Sequence, residues 1–313
     1  MRVTAHAHPN IALIKYWGKA PGAGNVPATP SLSITLDTLS TTTEVTEAAA
    51  DAFHLDDRPV EDAKVAACLA NLRRSYSIPP LCIRSSNNFP TAAGLASSAS
   101  GFAALVTAID ALCELGLSAA ARSALARQAS GSAARSVFGG FVALAAPDWQ
   151  ARPLLDASQW PLKVVIAITE TASKAVSSSV GMQRSAETSP YYPAWVETTP
   201  ADFAAAVAIL ERRDFSALAE IAEHSCLKMH GLMLATQPGL LYWNATTLAC
   251  LHTVRALRAA GEAVFFTVDA GPQVKAVCLP ASEAAVRRAL ESVAGVSQVL
   301  SASLGPGAWI AES

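Results

Sequence analysis

The stretch from Pro90 to Gly101, PTAAGLASSASG, carries no charge and no side chain larger than leucine. It runs straight into Phe102, Leu105, Val106, Ile109, Leu112 and Cys113, whose three- and four-residue spacing is the strongest helical pattern in the chain. The strand-like run LCIRSSNNF comes just before it. A strand, a loop of small residues and a long helix in succession let the backbone approach a ligand closely. The helix start aims free N–H groups and a partial positive charge at the same place. Ser97, Ser98 and Ser100 add hydroxyls, so the segment is a candidate anion site, most naturally for phosphate. It has neither the Gly-Lys-Ser/Thr of a Walker A loop nor a G-x-G-x-x-G pattern. Read locally, a tightly packed helix start with serine caps explains it equally well.

Around this core the chain alternates between two periods. Strands are expected at residues 11–17 (IALIKYW), as a pair within 31–48, and at GGFVALAA. Helices are expected at 62–75, at 119–129, interrupted near Gly131, and again briefly at 133–138. Residues 21–30 carry three prolines and read as a surface loop. Pro147 to Pro161 lacks periodicity, and the domain boundary falls near its end. Beyond it, strands are expected at PLKVVIAITE, AVFFTV, VKAVCL and VSQVLSAS. Helices are expected near 201–212, 215–235, 240–260 and 282–294. Antiparallel strands with helices grouped around them make an α+β chain. At 313 residues, with 51% hydrophobic and 15% charged residues, it has material for two packed domains.

The formal net charge of −2 gives no global attraction to nucleic acid or an anionic membrane, so an anionic ligand must be held by local donors. The six cysteines form no C-x-x-C pair and read as reduced. MRVTAHAHPN lacks an apolar signal core, and no apolar run reaches membrane-spanning length. A cytoplasmic protein is expected.

Lys15, Tyr16, Trp17 and Lys19 sit together at the end of an apolar run, where two lysines and a phenol suit a phosphorylated ligand. An exposed strand end with solvated lysines is the plain alternative. His6 and His8 have no acidic or cysteine partner nearby in sequence, which argues against a metal site. Arg135 is the only charge between Arg127 and Asp148. A guanidinium in such small apolar surroundings needs a partner, either a substrate carboxylate or a structural ion pair. Asp269 ends the apolar run AVFFTV and precedes a Gly-Pro turn, which it could simply help to form. Burial there would raise its pKa and a nearby lysine would lower it. The polar segment 173–189 offers Lys174 and Ser177 to Ser179 to phosphates, or is a surface loop.

Taken together, PNIALIKYWGK, PSLSITL, NNFPTAAGLASSASG, SGSAARSVFGGF, VSSSVGMQRSAETS and FTVDAGP resemble, in order and spacing, the diphosphomevalonate decarboxylase family of the GHMP kinase superfamily. The resemblance implies a two-domain GHMP kinase fold. Residues 1–161 would form a domain like the second domain of ribosomal protein S5, holding the phosphate loop. Residues 162–313 would form a ferredoxin-like domain carrying the aspartate. The implied activity is ATP-dependent conversion of mevalonate 5-diphosphate to isopentenyl diphosphate, CO2, phosphate and ADP. The Mg2+ would be carried by ATP, with no protein ligand specified, and the enzyme would be a homodimer.

Matched residue by residue, the resemblance implies that Asp269 acts on the C3 hydroxyl, that Arg135 binds the substrate carboxylate and that Asn10 lies near the reacting centre. Tyr16, Lys19, Ser130, Ser132 and Ser178 would surround the substrate. Asn88, Gly94, Ser97, Ser98 and Lys174 would contact the nucleotide. The sequence departs from the family at Ala28, Thr29, Ala134, Ala143 and Ser179, the last standing where some members place an arginine near the diphosphate. A monophosphate decarboxylase or 3-kinase of the same superfamily, another small-molecule kinase, and a non-catalytic nucleotide-binding protein are the competing readings.

Overall fold

A computed structural model describes residues 1–22, 24–89, 97–172 and 174–311. The first half contains β1 (Arg2–Ala7), β2 (Asn10–Ile14), β3 (Ser31–Thr35), β4 (Thr41–Glu47), β5 (Ala52–Leu55), β6 (Arg58–Pro59), α1 (Ala63–Arg73), β7 (Leu81–Asn87), α2 (Ser97–Leu112), α3 (Ala119–Ala129), α4 (Ala133–Ser136), β8 (Phe141–Ala145) and β9 (Gln150–Leu155). The second half contains β10 (Lys163–Ile168), α5 (Ser178–Thr188), α6 (Tyr192–Arg212), α7 (Phe215–Leu234), α8 (Ala245–Ala259), β11 (Val264–Val268), β12 (Val274–Cys278), α9 (Glu283–Glu291), β13 (Gln298–Ser303) and β14 (Trp309–Ile310).

Three sheets organise these elements. One has the order β14-β1-β4-β7-β5-β6, antiparallel except where β5 runs parallel to β7. Burial along β4 alternates residue by residue, as in a strand with one covered face. Val3, Ala5, Val45 and Ile83 of that face pack on Phe102, Leu105, Val106 and Ile109 of α2, the helix that opens at the serine-rich loop. The second sheet, β2-β3-β8-β9, and the third, β11-β12-β10-β13, are antiparallel throughout. β2, β10 and β11 are buried along almost their whole length, which is why IALI, VVIAI and VFFTV are nearly continuous apolar runs.

The largest core spans both halves. Ile11, Leu13, Leu32 and Phe141 pack with Val164, Ile166 and Phe265 and with Leu210 and Leu218. The other face of the third sheet is closed by Cys250, Leu251 and Val254 of α8 and by Val286 and Leu290 of α9. The last strand, β14, returns to the first sheet and pairs with β1. To get there the chain crosses Leu36 so closely that a side chain on Gly305 would collide with the Leu36 carbonyl.

Several elements differ from the sequence expectation. β2 stops at Ile14, so Lys15 to Lys19 do not follow strand alternation. β1 and β9 are additional strands, the latter inside the segment read as an aperiodic boundary. α5 occupies the polar stretch read as a possible loop; only Gly181, Met182 and Ser185 of it are buried, too few for an apolar period. α6 begins at Tyr192, nine residues before its expected start, and continues through Pro200. The hydroxyls of Thr198 and Thr199 donate to the Ala194 and Trp195 carbonyls at 2.7 and 2.6 Å, beside the break that proline makes in the ladder. All six cysteines are unpaired. Among the described residues no helix is long and apolar enough to cross a membrane.

Candidate active site

A cleft of about 590 Å³ opens where β2, the starts of α2 and α5, the turn before α4 and the end of β11 converge. Its floor is set by β2. Asn10 is buried, accepts from Arg135 Nε at 3.3 Å, and donates to the Ser132 carbonyl and Ser136 Oγ at 2.9 and 2.8 Å. Arg135, on the single turn of α4, is 1% exposed. Its Nε also donates to Ser33 Oγ at 3.1 Å and its Nη1 to Ser31 Oγ at 2.7 Å. Among the described residues it has no ion-pair partner, so the structural ion pair envisaged from the sequence does not form there. Burial pushes its pKa down to about 10, against the opposing influence of Tyr16 and Asp269. A buried cation held by neutral hydroxyls at the wall of a cleft suits a ligand carboxylate.

Lys15 follows β2 directly. It is 1% exposed, its amide donates to Ser225 Oγ of α7 at 2.9 Å, and its Nζ lies 2.6 Å from Asp269 Oδ1. The solvated-lysine alternative therefore fails for Lys15. Asp269 comes at the end of β11, and a quarter of its side chain is exposed. Its other oxygen, Oδ2, lies 3.2 Å from Nζ of Lys275, a buried residue of β12. Burial alone would raise the Asp269 pKa, but Lys15 and Lys275 outweigh it and hold the carboxyl well below the usual carboxylate range. The aspartate is thus much more than a turn former.

Tyr16 lines the same cleft. Its ring lies 5.9 Å from the Arg135 guanidinium, and its buried hydroxyl has no hydrogen-bond partner among the described residues. Burial raises its pKa to about 12. Its hydroxyl end lies against Gly131, where any side chain would collide with the hydroxyl. Ser130 and Ser132 flank that glycine, their hydroxyls 3.3 Å apart, and Ser130 Oγ is 3.4 Å from Ser98 Oγ. Ser97 and Ser98 begin α2, so this end of the cleft has a helix N-terminus and four hydroxyls.

Lys174 lies just before α5. It donates to Ser178 Oγ at 2.7 Å and to the Ala270 carbonyl at 3.0 Å, and burial lowers its pKa to about 8. Lys19 and Lys64, the latter from α1, line the same cleft. Burial, with Lys64 adding to it, lowers the Lys19 pKa.

Asn10, Tyr16, Lys19, Ser97, Ser98, Ser130, Ser132, Arg135, Lys174, Ser178 and Asp269 therefore share one cleft. Asn88 is not among its lining residues. It is exposed, and its amide is tied to the backbone of Ser40 and Thr38 at 2.8 and 2.9 Å. Gly94 lies outside the described residues. Of the departures, Ala134 and Ala143 are fully buried away from the cleft lining, and Ser179 is on it. Lys15 was expected only as a lysine suited to a phosphorylated ligand, not as a partner of Asp269, and Lys64 and Lys275 were not among the expected site residues. Lys15 and Lys275 had a signal, a single charge inside an otherwise apolar strand segment; Lys64, on a mostly exposed helix, had none.

Comparison with known proteins gives the family and the fold. Residues 7–151 match the model of the diphosphomevalonate decarboxylase-like N-terminal domain, and residues 164–303 match that of the mevalonate 5-diphosphate decarboxylase C-terminal domain. The diphosphomevalonate decarboxylase mvd1 of Aspergillus fumigatus is 36% identical over 94% of this chain and 81% of its own length. Among solved structures, a protein described as MDDEF in complex with MVAPP, AMPPCP and magnesium superimposes with a TM-score of 0.92 at 38% identity, covering 100% of this chain and 99% of that one. The mevalonate diphosphate decarboxylase from Enterococcus faecalis gives 0.90 at 36% identity, with the same coverage. The chain belongs to the diphosphomevalonate decarboxylase family.

Proposed function

We propose that the chain catalyses the ATP-dependent decarboxylation of mevalonate 5-diphosphate, giving isopentenyl diphosphate, CO2, phosphate and ADP. The observation that carries this reading is the presence in one cleft of Asp269, gripped by two lysines, and of a buried guanidinium, Arg135, that has no ion-pair partner among the described residues. Phosphoryl transfer needs a group that orients the attacking hydroxyl. Decarboxylation needs a group that fixes the carboxylate in line with the breaking bonds.

Asp269 accepts a hydrogen bond from the C3 hydroxyl. Held ionised by two lysines, it is a weak base, so it orients the hydroxyl and takes its proton only as the new oxygen–phosphorus bond forms. Ser97, Ser98, the α2 N-terminus and Lys174 hold the triphosphate in line. The hydroxyls of Ser97 and Ser98 are hard oxygen donors that fit Mg2+ arriving with ATP. That ion would neutralise charge building on the transferred group. Among the described residues no cluster of three His, Cys, Asp or Glu side chains supplies a separate metal site.

Once C3 carries phosphate, that group leaves with its bonding electrons. Arg135, backed by Asn10, Ser31 and Ser33, holds the carboxylate so that its carbon–carbon bond supplies the electrons of the new alkene and CO2 departs. Tyr16, Lys19, Ser130, Ser132 and Ser178 bind the substrate's diphosphate end. The division near Pro161, a cytoplasmic location and a homodimer complete the proposal. The six unpaired cysteines suit a reducing compartment, and light scattering tests the dimer.

The deciding experiment is a coupled assay of ADP and CO2 with mevalonate 5-diphosphate and, separately, mevalonate 5-phosphate, with Asp269→Asn as control. Equimolar ADP and CO2 from the diphosphate are expected. ADP without CO2 would make the protein a kinase, and preference for the monophosphate would move the substrate.

A further inference from the structure

Lys275 is the second residue of β12, opposite Thr267 of β11 and Ile166 of β10. It is 1% exposed, inside a sheet covered on both faces. A lysine is almost never buried so completely unless it is paired. Its Nζ reaches Oδ2 of Asp269 at 3.2 Å, while Oδ1 belongs to Lys15 at 2.6 Å. Each carboxylate oxygen thus has its own ammonium, one from the end of β2 and one from within β12. Lys15 lines the cleft; Lys275 is not among the lining residues and stands behind the carboxylate.

We propose that Lys275 is a positioning residue for phosphoryl transfer, fixing the Asp269 carboxylate from behind so that it meets the substrate hydroxyl in one orientation and as an anion. The proposal rests on the reading of Asp269 given above. With Lys15 alone, the carboxylate could turn both oxygens toward one ammonium and away from a substrate. A second ammonium on Oδ2 pins the plane of the group. It also leaves two cations against one anion at the reaction centre, an excess that favours the approach of an anionic phosphoryl group. The other ionisable groups facing Asp269 are Arg135, Lys174, Cys226 and His230. Burial holds the His230 ring down to about 3, so it is neutral and cannot replace Lys275 as a cation.

The charge on Lys275 is costly to bury. Burial lowers its pKa more than the attraction of Asp269 restores, and Lys15 lowers it further. An ammonium whose folded pKa lies below its unfolded value opposes folding. That opposition is fully present below the folded pKa and is lost only as the pH rises through the unfolded value. At neutral pH, an uncharged side chain of similar length therefore removes a cost to stability while removing the clamp on Asp269.

The test is Lys275→Met, with Lys275→Gln in parallel, assayed beside the wild type with Mg-ATP and mevalonate 5-diphosphate and by thermal unfolding. The expected result is a kcat lowered about tenfold or more, KM for both substrates within about threefold of wild type, and an unfolding midpoint equal to or above wild type. A kcat equal to wild type in a folded variant overturns the proposal. So does a lowered midpoint, or failure of both variants to fold, either of which makes Lys275 a structural ion-pair residue. A wild type that releases no CO2 from mevalonate diphosphate counts against the function instead, and the unfolding arm still decides whether Lys275 is structural.

Discussion

At the scale of single residues, the site is built from charges kept where charges are expensive. Arg135 is the clearest case, since its guanidinium is buried and, among the described residues, tied only to neutral oxygens of Asn10, Ser31 and Ser33. Arg135→Lys keeps the charge but loses the planar fork. Steady-state CO2 release is expected to fall about 10- to 100-fold, and an unchanged rate would remove the carboxylate contact. Lys174 gives a pH signature. Its pKa of about 8 means that the ammonium is present below pH 8 and is lost above it. The kcat/KM for ATP should therefore decline on the alkaline side with a midpoint near pH 8. In the profile of kcat the midpoint should lie higher, because bound triphosphate favours the ammonium. Lys174→Arg, which stays charged, should lack that limb. The sequence made Arg135 and Asp269 visible because each is a charge in an unusual setting, whereas Lys174 stood in a polar segment and was singled out by the family resemblance. It could not show that Lys15 and Lys275 grip the same carboxylate. They lie 260 residues apart, and only the fold brings them together.

At the scale of elements, what could be read depended on how much apolar period each one had. α2 was plain because most of it is buried, whereas α5 buries three residues and reads as polar chain. β9 was hidden in a segment whose prolines and tryptophans mask its pairing with β8. The turn before α4 is where packing touches function most directly. Gly131 gives the Tyr16 ring its seat, and nothing larger than hydrogen fits there. Gly131→Ala should displace that ring from its place between Arg135 and the serines. The KM for mevalonate diphosphate is expected to rise about tenfold while the KM for ATP changes little, because the lost contact serves binding of one substrate. Equal changes in both constants, measured in the same assay, would mean that the whole cleft had shifted.

At the scale of the whole molecule, the two halves contribute different chemistry to one cleft and share one core. Asn10, Tyr16 and Arg135 come from the first half, and Lys174, Ser178 and Asp269 from the second. The motifs in the sequence indicated two units and the groups each would bring, but a core made jointly by both has no local signature. Chains of this size often unfold domain by domain. Here Leu32 of β3 and Phe141 of β8 pack in the same cluster as Val164 of β10 and Phe265 of β11, and β14 ties the chain end back to β1. Neither half can open without exposing the other's apolar face. Calorimetry should therefore show a single unfolding transition. Leu32→Ala, at a fully buried position in the shared cluster, should lower that one transition as a whole, at a cost of about 2 to 5 kcal/mol. A saturating pair of a non-hydrolysable ATP analogue and mevalonate diphosphate, which bridges the halves, should raise it as a whole, by about 2.7 kcal/mol for a ligand at 100 times its Kd. Two separate transitions, with Leu32→Ala moving only one of them, would show that the shared core does not couple the halves and that the cleft is closed by its ligands alone.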